Sequence, residues 1–389
     1  MSSLVQTPCR SGSPHGVFGV AKAFVAAFGA TISLAGQTAD AAVQGSSSKP
    51  KAAQTAKANV KGFAMPKTPW GDPDLQGVWT SDDMLSIPME RPEQFAGRAE
   101  LTDEEFAERA KRDQDALERN KKAVGAFRGD VGTRTFRQTS RVIEPADGRI
   151  PPTTAEAQRR VAMRQAARSN APSSWEDRSL YDRCITRGIM GSTLPVIYGN
   201  GNQIFQTPTS VVINYEMIHD TRVIPLDGRP HVGSKIKTYL GDARGHWEGN
   251  TLVVETTNFM DDKTGIGVNG GGAPTSEMLK LVERFTRVEA GIQYEAAIED
   301  PKTFTRPWKI GMTLTTQAGY QILPYECHEG NRGLEDILSA ARAYDRAVAD
   351  AVKNGTPLPP SVWLDGQEGN VYGATPGQVP VNLNETPSR

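Results

Sequence analysis

Three stretches of the chain hold residue types that could do chemistry. The first is Tyr325-Glu326-Cys327-His328-Glu329-Gly330-Asn331. A histidine titrates near neutrality, so His328 is a candidate general acid or base. The plainer alternative is that His328 hydrogen-bonds its own loop and Asn331 caps a following helix. The second is Glu283, which shares a strand face with Leu279, Leu281 and Phe285 and so points toward an apolar interior. A carboxyl held away from water can retain a catalytic proton. Its alternative is a buried ion pair with an arginine of a neighbouring strand, such as Arg306. The third is Tyr181-Asp182-Arg183-Cys184. Tyr181 and Arg183 would stabilise an oxyanion beside the His328 base if the two cysteines join. Otherwise Asp182 and Arg183 form a structural pair.

Three cysteines occur, and Cys9 lies in the N-terminal leader. Residues Ala23 to Gly36 are apolar or small apart from Thr31 and Ser33, positive charge precedes or accompanies them at Arg10 and Lys22, and Ala39-Asp40-Ala41 fits a cleavage site. Residues 1–41 therefore read as an export signal, and the protein is expected in the periplasm or secreted. The apolar run is shorter than the roughly 20 residues a spanning helix needs, and no other segment is apolar enough. An oxidising compartment lets Cys184 and Cys327 pair; two buried free thiols are the alternative.

The rest of the composition excludes function classes. Lys+Arg total 44 against 45 Asp+Glu, for a net charge of -1, without the clustered positive charge of a nucleic-acid binder. There is no Gly-x-Ser-x-Gly, His-Glu-x-x-His or Cys-x-x-Cys motif. The mature histidines His219, His231, His246 and His328 are far apart in sequence, so no metal site is expected. Gly199-Asn200-Gly201-Asn202 leads into no helix, and Gly267 to Gly272 lacks the Lys-Ser/Thr pair of a phosphate loop. No cofactor is expected.

The elements that must position these groups are mostly strands. Residues 42–67 read as a flexible linker, residues 68–355 as one folded domain, and 356–389 as an extended, proline-rich tail. Thr251 to Phe259 is β-branched and follows the turn pair Gly249-Asn250. Lys280 to Val288 and Ile292 to Glu299 flank a short glycine-containing turn. In the second run Ile292, Tyr294, Ala296 and Ile298 alternate with polar or small residues, the mark of an antiparallel sheet with one dry face. Lys309 to Thr316 and Tyr320 to Cys327 read as further strands, as do Leu194 to Tyr198, Gln203 to Gln206, Thr209 to Met217, Arg222 to Leu226 and Lys235 to Leu240. Helices are predicted over Leu101 to Val124 and Thr153 to Ala167, each with a Thr and Glu at capping-box spacing. They form an insertion over about 100–170. Leu334 to Val352 carries an apolar stripe and stops at Asn354-Gly355. The fold class is thus mainly β, with a meander that closes most simply into an antiparallel barrel, inserted helices and a C-terminal helix.

Asp74-Leu75-Gln76-Gly77-Val78-Trp79 resembles the first-strand Gly-x-Trp pattern of lipocalin-like (calycin) barrels, in which the Trp closes one barrel end. Together with Trp247 to Phe259 and Cys327 to Asn331, it makes most of the mature chain resemble a large group of exported bacterial proteins without assigned function. The chain also has the general look of envelope proteins that break down plant-derived aromatics, such as lyases that release formaldehyde from lignin dimers. That likeness implies a cofactor-free enzyme using acid–base chemistry on a small apolar or aromatic molecule. The lipocalin likeness alone implies instead a carrier of an apolar ligand. Expected ligand contacts are Trp79, Tyr294, His246, Trp247, Glu255, Arg306, Tyr325, Glu329 and Asn331, around catalytic His328, Glu283, Arg183 and Tyr181. A carrier needs few inward ionisable groups, whereas an enzyme needs an acid and a base within reach of one ligand.

Overall fold

The alternation in the run after Gly291 carries directly into the structure. Ile292, Tyr294, Ala296 and Ile298 are all fully buried, while Gln293 and Glu299 face solvent. The computed structural model describes residues 63–122, 131–168, 170–261 and 263–360. The expected export signal, the expected linker up to residue 62 and the expected tail from residue 361 lie outside the described residues.

Among the described residues, ten strands form two sheets in which every paired strand is antiparallel. The first sheet holds β1 (Gly77–Thr80), β3 (Gly201–Thr207), β4 (Ser210–Tyr215) and β5 (Thr221–Pro225), in that spatial order. The second runs β2 (Val142–Glu144), β10 (Trp308–Leu314), β9 (Gly291–Glu299), β8 (Lys280–Val288), β7 (Thr251–Thr257) and β6 (Asp242–Glu248). Gly249 has φ 60° in the tight turn between β6 and β7, where Glu248 pairs with Thr251. Gly291 is obligatory for another reason: a Cβ there would lie 2.1 Å from the Leu314 carbonyl oxygen. Just past β10, Thr315 exchanges two backbone hydrogen bonds with Thr80 at the end of β1, at 2.7 and 2.9 Å.

Among the described residues, four α-helices accompany the sheets: α1 (Asp103–Lys122), α2 (Ala155–Arg168), α3 (Gly188–Thr193) and α4 (Arg332–Asn354). The first two, with β2, form the insertion between β1 and β3. The capping box of α1 forms as its spacing predicts, with Thr102 and Glu105 bonding each other's backbone N–H. At α2 the hydroxyl that accepts from Ala157 belongs to Thr154, one residue later than the predicted cap Thr153. Gly355, at φ 66°, ends α4. No helix among the described residues is long and apolar enough to cross a membrane.

Three predicted strands do not form, and side chains explain each case. In Leu194 to Tyr198 the Val196 N–H and carbonyl are both taken by Asn200. Near Lys235 to Leu240, Asn258 donates to the carbonyls of Val232, Gly233 and Ile236 and holds the chain in a loop. In Tyr320 to Cys327, Glu216 accepts from the Leu323 N–H at 3.1 Å and from the Tyr320 hydroxyl. Pro324 also lacks an N–H for a ladder. The last strand is therefore β10, and His328 lies on a turn rather than at a strand end.

The core between the sheets is mostly apolar and holds a buried ion pair. Glu283 on β8 is fully buried and pairs with Arg222 on β5. Arg222 Nη1 donates to Glu283 Oε1 at 3.1 Å and lies 3.3 Å from the Tyr215 hydroxyl, while Nη2 bonds Oε2 and lies 3.4 Å from Thr256 Oγ1. The Tyr294 hydroxyl donates to the same carboxylate at 3.0 Å. Burial, and then the Glu283 charge, push the Tyr294 phenol well above its ordinary range. The ion-pair alternative for Glu283 thus has Arg222 as its arginine. Arg306 instead faces Asp147 on the surface at 3.6 Å.

Removing one member of a buried pair leaves a charge uncompensated, which costs about 3–5 kcal/mol. Glu283→Gln is expected to lower the urea midpoint of unfolding by that order, and the double variant Glu283→Leu/Arg222→Met to recover most of it. Equal midpoints for wild type and the single variant would show that the pair does not join the sheets.

Candidate functional site

Of the residues that the sequence marks for chemistry, Tyr181, Tyr325 and Asn331 lie around a disulfide. Cys184 and Cys327 are bridged across 143 residues, with Cα atoms 5.6 Å apart. The bridge fastens the segment after β10 to the loop before α3. Asn331 reinforces it: its Nδ2 donates to the Asp182 carbonyl at 2.8 Å and lies 3.4 Å from Cys184 Sγ, while its Oδ1 caps α4 by accepting from the Leu334 N–H. Asn331 is thus the helix cap of the plainer reading. Glu216 pins the same segment further back through Tyr320 and Leu323, and Gly201 lets it approach, since a Cβ there would sit 2.7 Å from Glu216 Oε2.

Beside the bridge, Tyr181 and Tyr325 come together with two residues that the sequence did not single out, Arg187 and Tyr198. Arg187 sits at the N-terminus of α3 and is only 1% exposed. None of its three guanidinium nitrogens has a hydrogen-bond partner among the described residues. Its Cζ lies 5.9 Å from the centre of the Tyr181 ring. The rings of Tyr198 and Tyr325 are 6.5 Å apart, and the hydroxyls of Tyr181 and Tyr325 both interact with that of Tyr198. Burial first, and then the neighbouring Tyr198, push the phenols of Tyr181 and Tyr325 above their ordinary value. Burial pulls the Arg187 guanidinium down to about 10, partly countered by the three tyrosines. Tyr198 is 36% exposed, so the cluster opens to solvent on its side.

This arrangement has a definite chemical character. A buried cation without hydrogen-bond partners is costly, and an anionic oxygen entering among the tyrosines would supply what it lacks. Phenols held above their ordinary range stay protonated at neutral pH and act as donors to that oxygen.

The other expected site residues are dispersed. Arg183 lies over the Trp175 ring at 4.3 Å. His328 and Glu329 are exposed on the turn that follows Cys327. Glu283 and Tyr294 belong to the core network, with no opening to a ligand. Trp79 is buried, donates to the Leu75 carbonyl at 2.8 Å and carries Arg287 over its ring. His246 faces Glu248 on the surface, Trp247 packs at the core margin, and Glu255 pairs with Lys280 and His231. Among the described residues no group of three or more His, Cys, Asp or Glu is placed to hold a metal ion.

A signal for Arg187 does exist in the sequence. It is the single charge between Cys184 and Asn202, in a run of small, apolar and uncharged polar residues. Tyr198 carries no comparable mark. Comparison with protein-family models, with curated proteins and with solved structures finds no match.

Because the bridge closes a long loop, reducing it is expected to cost about 2–5 kcal/mol and to release Tyr325 from the cluster. Urea unfolding with and without reductant, followed by tyrosine near-ultraviolet circular dichroism of the native state, measures both effects. An unchanged midpoint and spectrum would remove the disulfide as the cluster's anchor.

Proposed function

We propose that the protein is an exported, cofactor-free enzyme that acts by acid–base chemistry on a small aromatic or apolar molecule bearing an oxygen that is, or becomes, anionic. The observation that carries this reading is Arg187, buried without a hydrogen-bond partner and ringed by three tyrosines. In this proposal a phenolate, enolate or carboxylate oxygen lies against Arg187, and a tyrosine hydroxyl donates to it. His328, next to bridged Cys327, takes the proton released from the substrate. A lyase reaction fits, because bond cleavage that leaves electrons on such an oxygen needs this combination of base and oxyanion support. The disulfide suits an oxidising compartment outside the cytoplasm.

The barrel belongs to the same proposal. The Thr80–Thr315 bridge links β1 to the end of β10, and a Cβ on Gly245 of β6 would lie within 2.8 Å of both Leu226 and Ile224, at or just beyond β5. These contacts support closure of the two sheets into a lipocalin-like barrel. The gap lined by Ile204, Ile213, Tyr215, Phe285 and Leu314 leaves no water-sized space. That packing counts against a carrier holding its ligand there.

The test begins with a thermal-shift screen of lignin-type aromatic dimers and other small apolar acids and phenols, followed by product analysis of each hit. Arg187→Met is expected to lower turnover about a hundredfold to a thousandfold, and His328→Ala about a hundredfold or more, with the fold retained by circular dichroism. Turnover that survives both His328→Ala and Tyr198→Phe/Tyr325→Phe would place the chemistry elsewhere. Hits returned unchanged after long incubation would make the protein a carrier.

The pH dependence has a fixed sign. Arg187 is charged below about 10, so affinity for an anionic hit should be full at neutral pH and fall as pH rises through that value. Affinity that stays constant up to the alkaline unfolding limit would exclude Arg187 as the anion's partner.

A further inference from the structure

A second candidate site is lined by neither Arg187 nor its three tyrosines, although it runs up to Ile197, next to Tyr198. A cavity of about 900 Å³ is bounded by α1, by the short turns that follow β1, and by the glycine-rich loop at 266–272. That volume is in the range of small-molecule pockets. Leu85, Met89, Phe95, Ile150, Val196 and Ile266 supply an apolar wall.

The charged groups in this wall are not equally satisfied. Asp83 accepts from the N–H groups of Thr133 and Arg134 and from the Thr315 hydroxyl. Asp82 accepts from Asn200 and Gln317, and Asp113 from Ser86 and Thr135. These three carboxylates are committed to the fold; Arg112, Asp115, Arg119 and Arg134, all exposed, also border the cavity. Arg141, 8% exposed, differs from the three carboxylates. Its Nε donates to the Ile87 carbonyl at 2.8 Å, but Nη1 and Nη2 have no hydrogen-bond partner and no carboxylate faces the group among the described residues. Arg109, 3% exposed, also lines the cavity, with Nη1 on the Phe136 and Gln138 carbonyls and a bare Nε. A guanidinium fork with two free donors beside an apolar wall matches a carboxylate on an apolar body, because the fork binds carboxylates in bidentate fashion.

We propose that this cavity is a binding site for an apolar monocarboxylate, with the carboxylate on Arg141 and the hydrocarbon part along the wall formed by Met89, Phe95 and Ile266. Its lining shares no residue with the Arg187 cluster, and the proposal does not depend on the function proposed there.

The probes are octanoate, octanol and octylammonium, titrated calorimetrically into the folded protein. Octanoate is expected to bind at least tenfold more tightly than octanol, and octylammonium not at all. Arg141→Gln should weaken octanoate at least tenfold and leave octanol unchanged. Since Arg141 also supports the Ile87 carbonyl, Ala116→Trp provides a second variant: it fills the cavity from half-buried Ala116 on α1 and should abolish binding of both. Arg187→Met should leave the octanoate titration as in wild type. Equal affinity for octanoate and octanol, no octanoate binding, or octanoate binding that survives Ala116→Trp would overturn the proposal. So would binding lost in Arg187→Met, which would assign the carboxylate to the other site.

Discussion

The pair of Arg222 and Glu283 constrains the whole structure. Two charges in a dry interior are tolerable only with close geometry and with their remaining donors and acceptors met. Here the carboxylate and both Nη nitrogens are satisfied from several strands at once, while Arg222 Nε has no partner among the described residues. Arg222 comes from β5 and Tyr215 from β4, whereas Thr256, Glu283 and Tyr294 come from β7, β8 and β9. The two sheets therefore cannot slide or rotate independently without exposing or orphaning a charge. The same network, packed among Phe285, Ile204 and Ile213, fills the space that a ligand-carrying barrel would leave open. The proposed binding features consequently lie at the margins of the sheets, in loops that the core holds.

Those loops are held by side chains rather than by ladders. After β10 the chain runs from Thr315 to Asn331 without a strand, yet it is fixed at Thr80, at Glu216, at Cys184 and at Asp182. Each tie reaches more than a hundred residues back along the sequence. Tyr325 is carried to Tyr181 and Tyr198 by these ties. Gly270 makes the matching contact from the other side, since a Cβ there would lie 2.8 Å from the Arg187 carbonyl oxygen. Buried carboxylates such as Asp82, Asp83 and Asp300 are amply hydrogen-bonded, whereas Arg187 is buried with all three guanidinium nitrogens bare among the described residues. Buried polar groups in folded proteins are nearly always paired, so Arg187 and Arg141 are where an external partner has the most to offer.

What the sequence determined by itself is the local structure. Period-two alternation in Ile292 to Glu299, the β-branched run after Gly249-Asn250, the Thr102 and Glu105 box and the stop at Gly355 all act within a few residues, through side-chain direction and backbone preference. Cys184 and Cys327 are likewise the two cysteines that follow residue 41, which left one pairing open between them. The rest was decided only by the tertiary structure. Leu194 to Tyr198 and Tyr320 to Cys327 read as strands because their composition is strand-like, but Asn200 and Glu216 satisfy their backbone groups from a distance and Pro195 and Pro324 interrupt a ladder. Which arginine neutralises Glu283, which tyrosines surround Arg187, and that Arg141 faces no carboxylate all depend on residues tens to hundreds of positions apart. Charge pairing and desolvation are set by distance in space, and a linear sequence does not carry that distance.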